Sequence, residues 1–236
     1  RSVDRIFNIE FGWWPETLQR WYKEGLPQDI NARNGDTFFG FDKALYVPVN
    51  LGLDPLFEEK IIKETDQYKI IQDRSGRILK CFKDDKSAVP HYIKFPIENR
   101  NDWQKFKQKL NPDSVRYPSQ EDWNQFKKET ENSQNPVIIN GGSLFGWIRD
   151  WMGFENCLIT FYDQPDLIEE IMDYLCEFIL AVNEKALLEI KIDAVAMWED
   201  MAFKTQPMIS PALFKKYLVP RYKKMSERFL KAGIDL

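Results

Sequence analysis

From residue 136 onward, short apolar runs alternate with long amphipathic ones, and this alternation limits the available folds more than any other feature. PVIING (136–141) and AVAMW (194–198) are short and apolar throughout. Between them, Ile168, Ile171, Met172, Leu175, Phe178, Ile179, Val182 and Ala186 recur at helical spacing, which predicts a helix over 165–190. A second helix is expected over 211–232, closing on Gly233, with another strand starting at Ile234. Strands that are apolar on both faces need cover on both faces. The βαβα order therefore predicts an α/β protein with a parallel sheet between helices.

The first half is less regular. RIFNIEFG (5–12) alternates as a strand does, and WPETLQRWYKEGLP (14–27) reads as a helix with Pro15 and Glu16 in its first turn. KALYVPVNLGLDP (43–55) is extended, although Pro48 argues against a regular central strand. A hairpin excursion is expected over 68–95, where YKIIQD and RILKCF flank RSG and a further extended stretch follows. Two helices then share Asp-Trp-x-x-Phe-Lys, at 102–107 and 122–127, read here as a convergent surface-helix pattern. The whole of 1–236 is expected to form a single domain. It starts at Arg1 and stops as a strand begins, which is expected of a fragment of a longer chain.

Composition removes several function classes. A net charge of −4 gives no electrostatic reason for a nucleic-acid partner, and no apolar run is long enough to predict a membrane span. Three scattered cysteines suit reduced thiols in a cytoplasm, and with the single His91 they form no close zinc-ligand spacing. His91 itself sits on the expected excursion, away from the strand ends, and is read as structural.

In β/α folds the chemistry gathers at the C-terminal ends of the strands. Glu199 and Asp200 stand at such a point, as do Asn140-Gly141-Gly142 and Glu10-Phe11-Gly12-Trp13. Glu199 and Asp200 are the candidate catalytic acids. The alternative is that they cap the strand, pair with Lys204 or accept loop amides. The Gly141-Gly142 pair permits close backbone approach to a ligand, or simply makes a tight turn. Arg149 is either an anion ligand or the neighbour of Asp150 on a short helix.

Four stretches, 3–27, 46–78, 141–175 and 198–225, together resemble the uroporphyrinogen decarboxylase superfamily, and more narrowly its uroporphyrinogen decarboxylase-like branch. The resemblance covers nearly the whole chain. It implies a TIM-type (β/α)8 barrel of which about the first half is present. It also implies one of two chemistries. One is cofactor-free decarboxylation of a tetrapyrrole-type or other small carboxylated substrate. The other is methyl transfer with methylcobalamin or a corrinoid protein, using zinc held by a His-x-Cys and a later Cys. In this chain such ligands would lie beyond Leu236. A non-catalytic binding barrel is the third reading.

The chain departs from the family at the substrate end. Where the decarboxylases carry an Arg-Gln-Ala-Gly-Arg-type motif, this sequence has Glu10-Phe11-Gly12-Trp13-Trp14. Guanidinium forks suit carboxylates, and a Glu in their place repels a polyacid. Asp54 is the nearest match to the family's pyrrole-binding aspartate, and it is equally a turn opener. No Tyr matches the catalytic tyrosine, near which this chain has Arg149, Asp150 and Trp151. The expected site is thus an acidic, aromatic cavity. Glu10, Trp13, Trp14, Gly142, Arg149, Asp150 and Trp198 bind a small molecule there, and Glu199 and Asp200 act on it. A half barrel also leaves a sheet edge open, so poor solubility or dimerisation through that edge is expected.

Overall fold

The computed structural model describes residues 7–83 and 90–234. It is mixed α/β, built on a three-stranded parallel sheet. After helices α1 (Pro15–Lys23) and α2 (Gly35–Phe39) comes strand β1 (Leu45–Tyr46). β1 pairs with β6 (Val137–Asn140), which pairs with β7 (Ala194–Ala196), all parallel. Leu45, Val137, Ile139 and Val195 share one sheet face and join the main core. The opposite face carries Tyr46, Ile138, Asn140, Ala194 and Ala196, of which Tyr46, Asn140 and Ala196 are exposed. No complete barrel is formed among the described residues.

The core is organised by α7 (Pro165–Glu189). Every residue of its expected stripe is buried. Two earlier helices, α3 (Arg100–Phe106) and α4 (Gln120–Asn132), dock on it. Their N-caps, Asn99 and Ser119, accept the amides of Asp102 and Asp122, so each helix starts where a polar side chain can replace a missing turn. The shared Trp then falls on the inner face. Trp103 and Trp123 are both fully buried, and their indole N–H groups donate to Glu170 and Glu189 of α7 at 3.0 and 2.9 Å. The expected surface pattern is therefore a pair of core anchors. Burying each indole contributes on the order of 2–3 kcal/mol, and only a partnered N–H lets that gain stand.

Between β1 and α3 the chain leaves the core for a four-stranded antiparallel sheet. β2 (Lys60–Glu64), β3 (Tyr68–Gln72), β4 (Ile78–Phe82) and β5 (His91–Lys94) pair in sequence order. The expected excursion over 68–95 thus covers three of these strands, and β2 extends it toward the N-terminus. Residues 84–89 of the excursion lie outside the described residues. Arg116 ties the base of this insertion down. Its buried guanidinium donates to the carbonyls of Asn50, Gly52, Lys109 and Asn111, and it lies over the Phe178 ring at 4.9 Å. Burial pulls its pKa below the usual guanidinium value.

The strand expected over 5–12 is not formed within its described part. Residues 7–12 are exposed and take no regular structure, and a reciprocal contact joins them to the segment before β1: Asn8 N–H to the Asp42 carboxylate, and Asp42 N–H to the Asn8 carbonyl, each 2.8 Å. β1 is only two residues long, so no ladder continues along it. Residues 5 and 6 lie outside the described part. Toward the C-terminus, α5 (Phe145–Met152), α6 (Phe154–Asp163), α8 (Pro211–Leu213), a π-helical turn (Phe214–Leu218) and α9 (Val219–Lys231) complete the order. No helix among the described residues is long and apolar enough to cross a membrane.

Candidate functional site

The C-terminal ends of β6 and β7 are joined by one carboxylate. Glu199 follows β7, and its oxygens sit at the N-terminus of α5. The amides of Leu144, Phe145 and Gly146 donate to it, the last at 2.8 Å. Ser143 Oγ adds a bond of 2.9 Å, and Tyr222 of α9 adds its hydroxyl at 2.5 Å. The first turn of a helix has amides without intrahelical partners and a partial positive charge, both of which a carboxylate satisfies. Gly146 makes the approach feasible, since a Cβ there would meet Ser143 Oγ at 2.6 Å. Burial first, and then the Glu199 carboxylate, push the Tyr222 phenol well above its ordinary pKa, so it keeps the proton it donates. Among the described residues, the groups that reach Glu199 all donate to its oxygens. Of the roles the sequence left open for Glu199, the geometry matches acceptance of loop amides.

Arg149, on α5, is engaged as fully. It donates to the Asp150 carboxylate at 3.0 and 3.2 Å and to the Asp200 carbonyl at 2.6 Å. Its guanidinium thus fastens the loop after β7 to α5, with Asp150 as its nearer ion-pair partner and Asp200 as a second, longer one. The Asp200 side chain is 62% exposed, and its carboxylate lies 3.9 Å from the same guanidinium.

Gly142 has a positive φ of 69°, and its amide donates to Asn140 Oδ1 at 2.8 Å. A Cβ there would meet Ile179 Cδ1 at 2.6 Å and Trp147 at 2.9 Å, so protein fills the space a side chain would take. This is the tight-turn reading. Trp13 likewise faces protein. It packs on Gly35 and lies 5.4 Å from the Phe39 ring, inside an aromatic cluster with Trp21 and Phe41.

The remaining expected residues lie at the surface. Trp14 is 77% exposed and Trp198 58% exposed. Trp198 meets Phe11, itself largely exposed, edge to face with centroids 5.1 Å apart. That contact brings the N-terminal segment against the loop after β7, although nearly the whole chain lies between them in sequence. Glu10 lines a cleft of about 270 Å³ with Ile9, Arg33, Asp36, Asp42, Lys43 and Tyr46. The expected constellation is therefore divided. Glu10, Trp14, Trp198 and Asp200 present surface, Gly142, Arg149 and Glu199 are engaged with protein around the start of α5, and Trp13 packs in a separate aromatic cluster with Phe39 and Phe41. Tyr222 was missed by sequence reasoning, and so was the part Ser143 plays at the cap. A Tyr inside an amphipathic helix carries no signal that it serves a strand end.

The zinc ligands that the resemblance implies are expected beyond Leu236, outside this chain. No group of three or more His, Cys, Asp or Glu among them is placed to hold a metal ion. Cys81 and His91 lie on neighbouring strands but point to opposite faces, as the register Lys80↔His91 requires. Cys157 and Cys176 are buried, and burial raises their thiol pKa values to about 12 and about 11.

No family model, curated protein or solved structure matches this chain.

Proposed function

We propose that the chain is the ligand-binding part of a uroporphyrinogen decarboxylase-like (β/α)8 enzyme, and that its strand-end surface takes a flat, apolar or cationic small molecule such as a corrinoid face. The observation that carries this reading is the Phe11–Trp198 contact. Two exposed rings meet where the chain leaves β7. The carboxylates of Asp150 and Asp200 both pair with the Arg149 guanidinium on α5, so that cation is already engaged. Aromatic faces attract flat apolar and cationic groups, while a polyacid needs cations that are still available. Of the two chemistries the family resemblance implies, these residues favour methyl transfer. The chain's own part would be to bind and orient the ligand.

Decarboxylation of a small carboxylated substrate is the second reading. Arg33 and Lys43 favour it, since both line the cleft beside Glu10.

Equilibrium dialysis against cobinamide and against uroporphyrin separates these readings. Retention of cobinamide is expected, weakened about tenfold, or ~1.4 kcal/mol, by Trp198→Ala. Retention of uroporphyrin that is lost in Arg33→Ala and Lys43→Ala would replace methyl transfer with decarboxylation. Retention of neither ligand would remove both readings.

A further inference from the structure

The register of the antiparallel sheet sorts its side chains into two unlike faces. Residues directly opposite one another share a face. One row across the sheet is therefore Lys60, Gln72, Ile78 and Lys94, the next is Lys63, Ile70, Lys80 and His91, and the third is Tyr68 and Phe82. The strand positions of this face carry four lysines and a histidine and no carboxylate. The acid of the neighbouring strands, Glu64, lies on the other face, bridged to Lys69 and Lys83. Lys94 has Glu98 at 3.6 Å, beyond the end of β5.

This basic face has an aromatic floor. Lys80 Nζ stands 4.2 Å from the Tyr68 ring centroid and 4.7 Å from that of Phe82, and Lys63 approaches Tyr68 to 5.8 Å. Ammonium groups seated on rings lose part of their conformational freedom before any partner arrives. The same seating occupies the ring faces on which a nucleic-acid base would stack. Both edge strands carry a register shift, between Ile61 and Lys63 on β2 and opposite Ile78/Leu79 on β5. Shifts of this kind blunt an edge against added strands, so a partner meets the face rather than extending the sheet.

The sheet also adjoins the strand-end surface. Tyr92 of β5 stacks on Phe95, whose ring fills the space beside Gly153 at the α5–α6 junction. Phe154 there meets Phe203 in the loop after β7.

We infer that the Lys60/Lys63/Lys80/Lys94 face docks an acidic segment of a partner protein. Its carboxylates meet the four ammoniums, of which those of Lys63 and Lys80 are seated on rings, and its apolar side chains meet Ile70, Ile78 and Phe82. The four strands span about 14 Å, the width of a short peptide segment with several acidic side chains. The inference does not depend on which small molecule the strand ends take.

Fluorescence anisotropy tests it, with a labelled peptide of alternating Glu and Leu titrated by the purified chain, and labelled oligo-dT as the comparison. Saturable peptide binding is expected, weakened about tenfold or more by raised salt and by the double variant Lys60→Glu/Lys94→Glu. Those two lysines are exposed and outside the ring contacts, so the fold is kept, and circular dichroism checks that it is. Lys63→Glu is expected to act in the same direction. Absence of saturable binding, or binding that the double variant leaves unchanged, overturns the inference. Tighter binding of oligo-dT than of the peptide also overturns it and assigns the face to nucleic acid.

Discussion

Replacing Glu199 with Gln separates a structural carboxylate from a catalytic one, because its cost follows from the hydrogen bonds around it. Glu199 offers two acceptor oxygens to three backbone amides, one serine hydroxyl and one phenol. Gln keeps one oxygen and places an NH2 against the other donors. If the oxygen stays with Phe145 and Gly146, the Leu144 amide and the Tyr222 hydroxyl lose their acceptor. If it turns to them, Ser143 and Gly146 lose theirs and Phe145 keeps only a contact of 3.4 Å. Each buried donor left without a partner costs about 1–3 kcal/mol. Losing the negative charge at a helix N-terminus adds ~0.3–1 kcal/mol. Tyr222 can rotate its hydrogen elsewhere and Glu199 is only half-buried, so the lower end of each range applies. The expected loss is about 2–4 kcal/mol, or a fall in Tm of about 4–16 °C for a chain of this size. Urea unfolding followed by tryptophan fluorescence measures it, with the slope on denaturant unchanged. Tyr222→Phe is expected to cost about 1 kcal/mol alone and less in the Glu199→Gln background, because the two groups share one bond. A loss below about 0.5 kcal/mol for Glu199→Gln would refute the argument and return the carboxylate to the candidate acids.

Arg116→Met removes the donors facing four carbonyls and is expected to destabilise the chain by about 3 kcal/mol or more, while Arg116→Lys recovers only part, because a point charge cannot reach what a planar fork reaches. Chemical denaturation of both variants checks the order. The pH dependence has a definite sign. Cys157, Cys176 and Tyr117 all have raised folded-state pKa values, about 12, 11 and 12. Their contribution is therefore complete below the unfolded thiol value near ~8.5 and is lost as pH rises toward 11–12. Unfolding midpoints that stay level from neutral pH to the alkaline end would contradict this. In the native protein, thiol reagents are expected to modify the half-buried Cys81 and spare Cys157 and Cys176, with all three reacting in denaturant.

The elements read most accurately from sequence were those whose signal is local and long. The stripe of α7 spans many turns, so chance alternation cannot imitate it. The strand at 136–141 is short, but helices flank it on both sides of its turn signals. Phe7, Ile9 and Phe11 alternate as well as any strand residues, yet a strand needs a neighbour, and two residues of β1 do not supply one. The site was legible as a location and less so as a set of roles. The donors on Glu199 come from residues 53 to 56 positions earlier and from Tyr222, 23 positions later. No periodicity encodes such distances. Trp103 and Trp123 looked like surface residues because their helices are otherwise highly charged. Only the acidic partners on α7 explain how so polar a helix can bury a Trp.

Those two partners also constrain what the chain can tolerate over evolutionary time. Glu170 and Glu189 stand nineteen residues apart on α7, about 28 Å along its axis. Each must present its carboxylate to an indole held on a separate helix. Inserting or deleting one residue between them would turn the second carboxylate about 100° around the axis and away from its indole. Substitutions along the outer face of α7 leave that phase intact, whereas a change in length does not. α7 therefore serves as a gauge bar for α3 and α4, and lineages of this chain should vary its composition far more readily than its length.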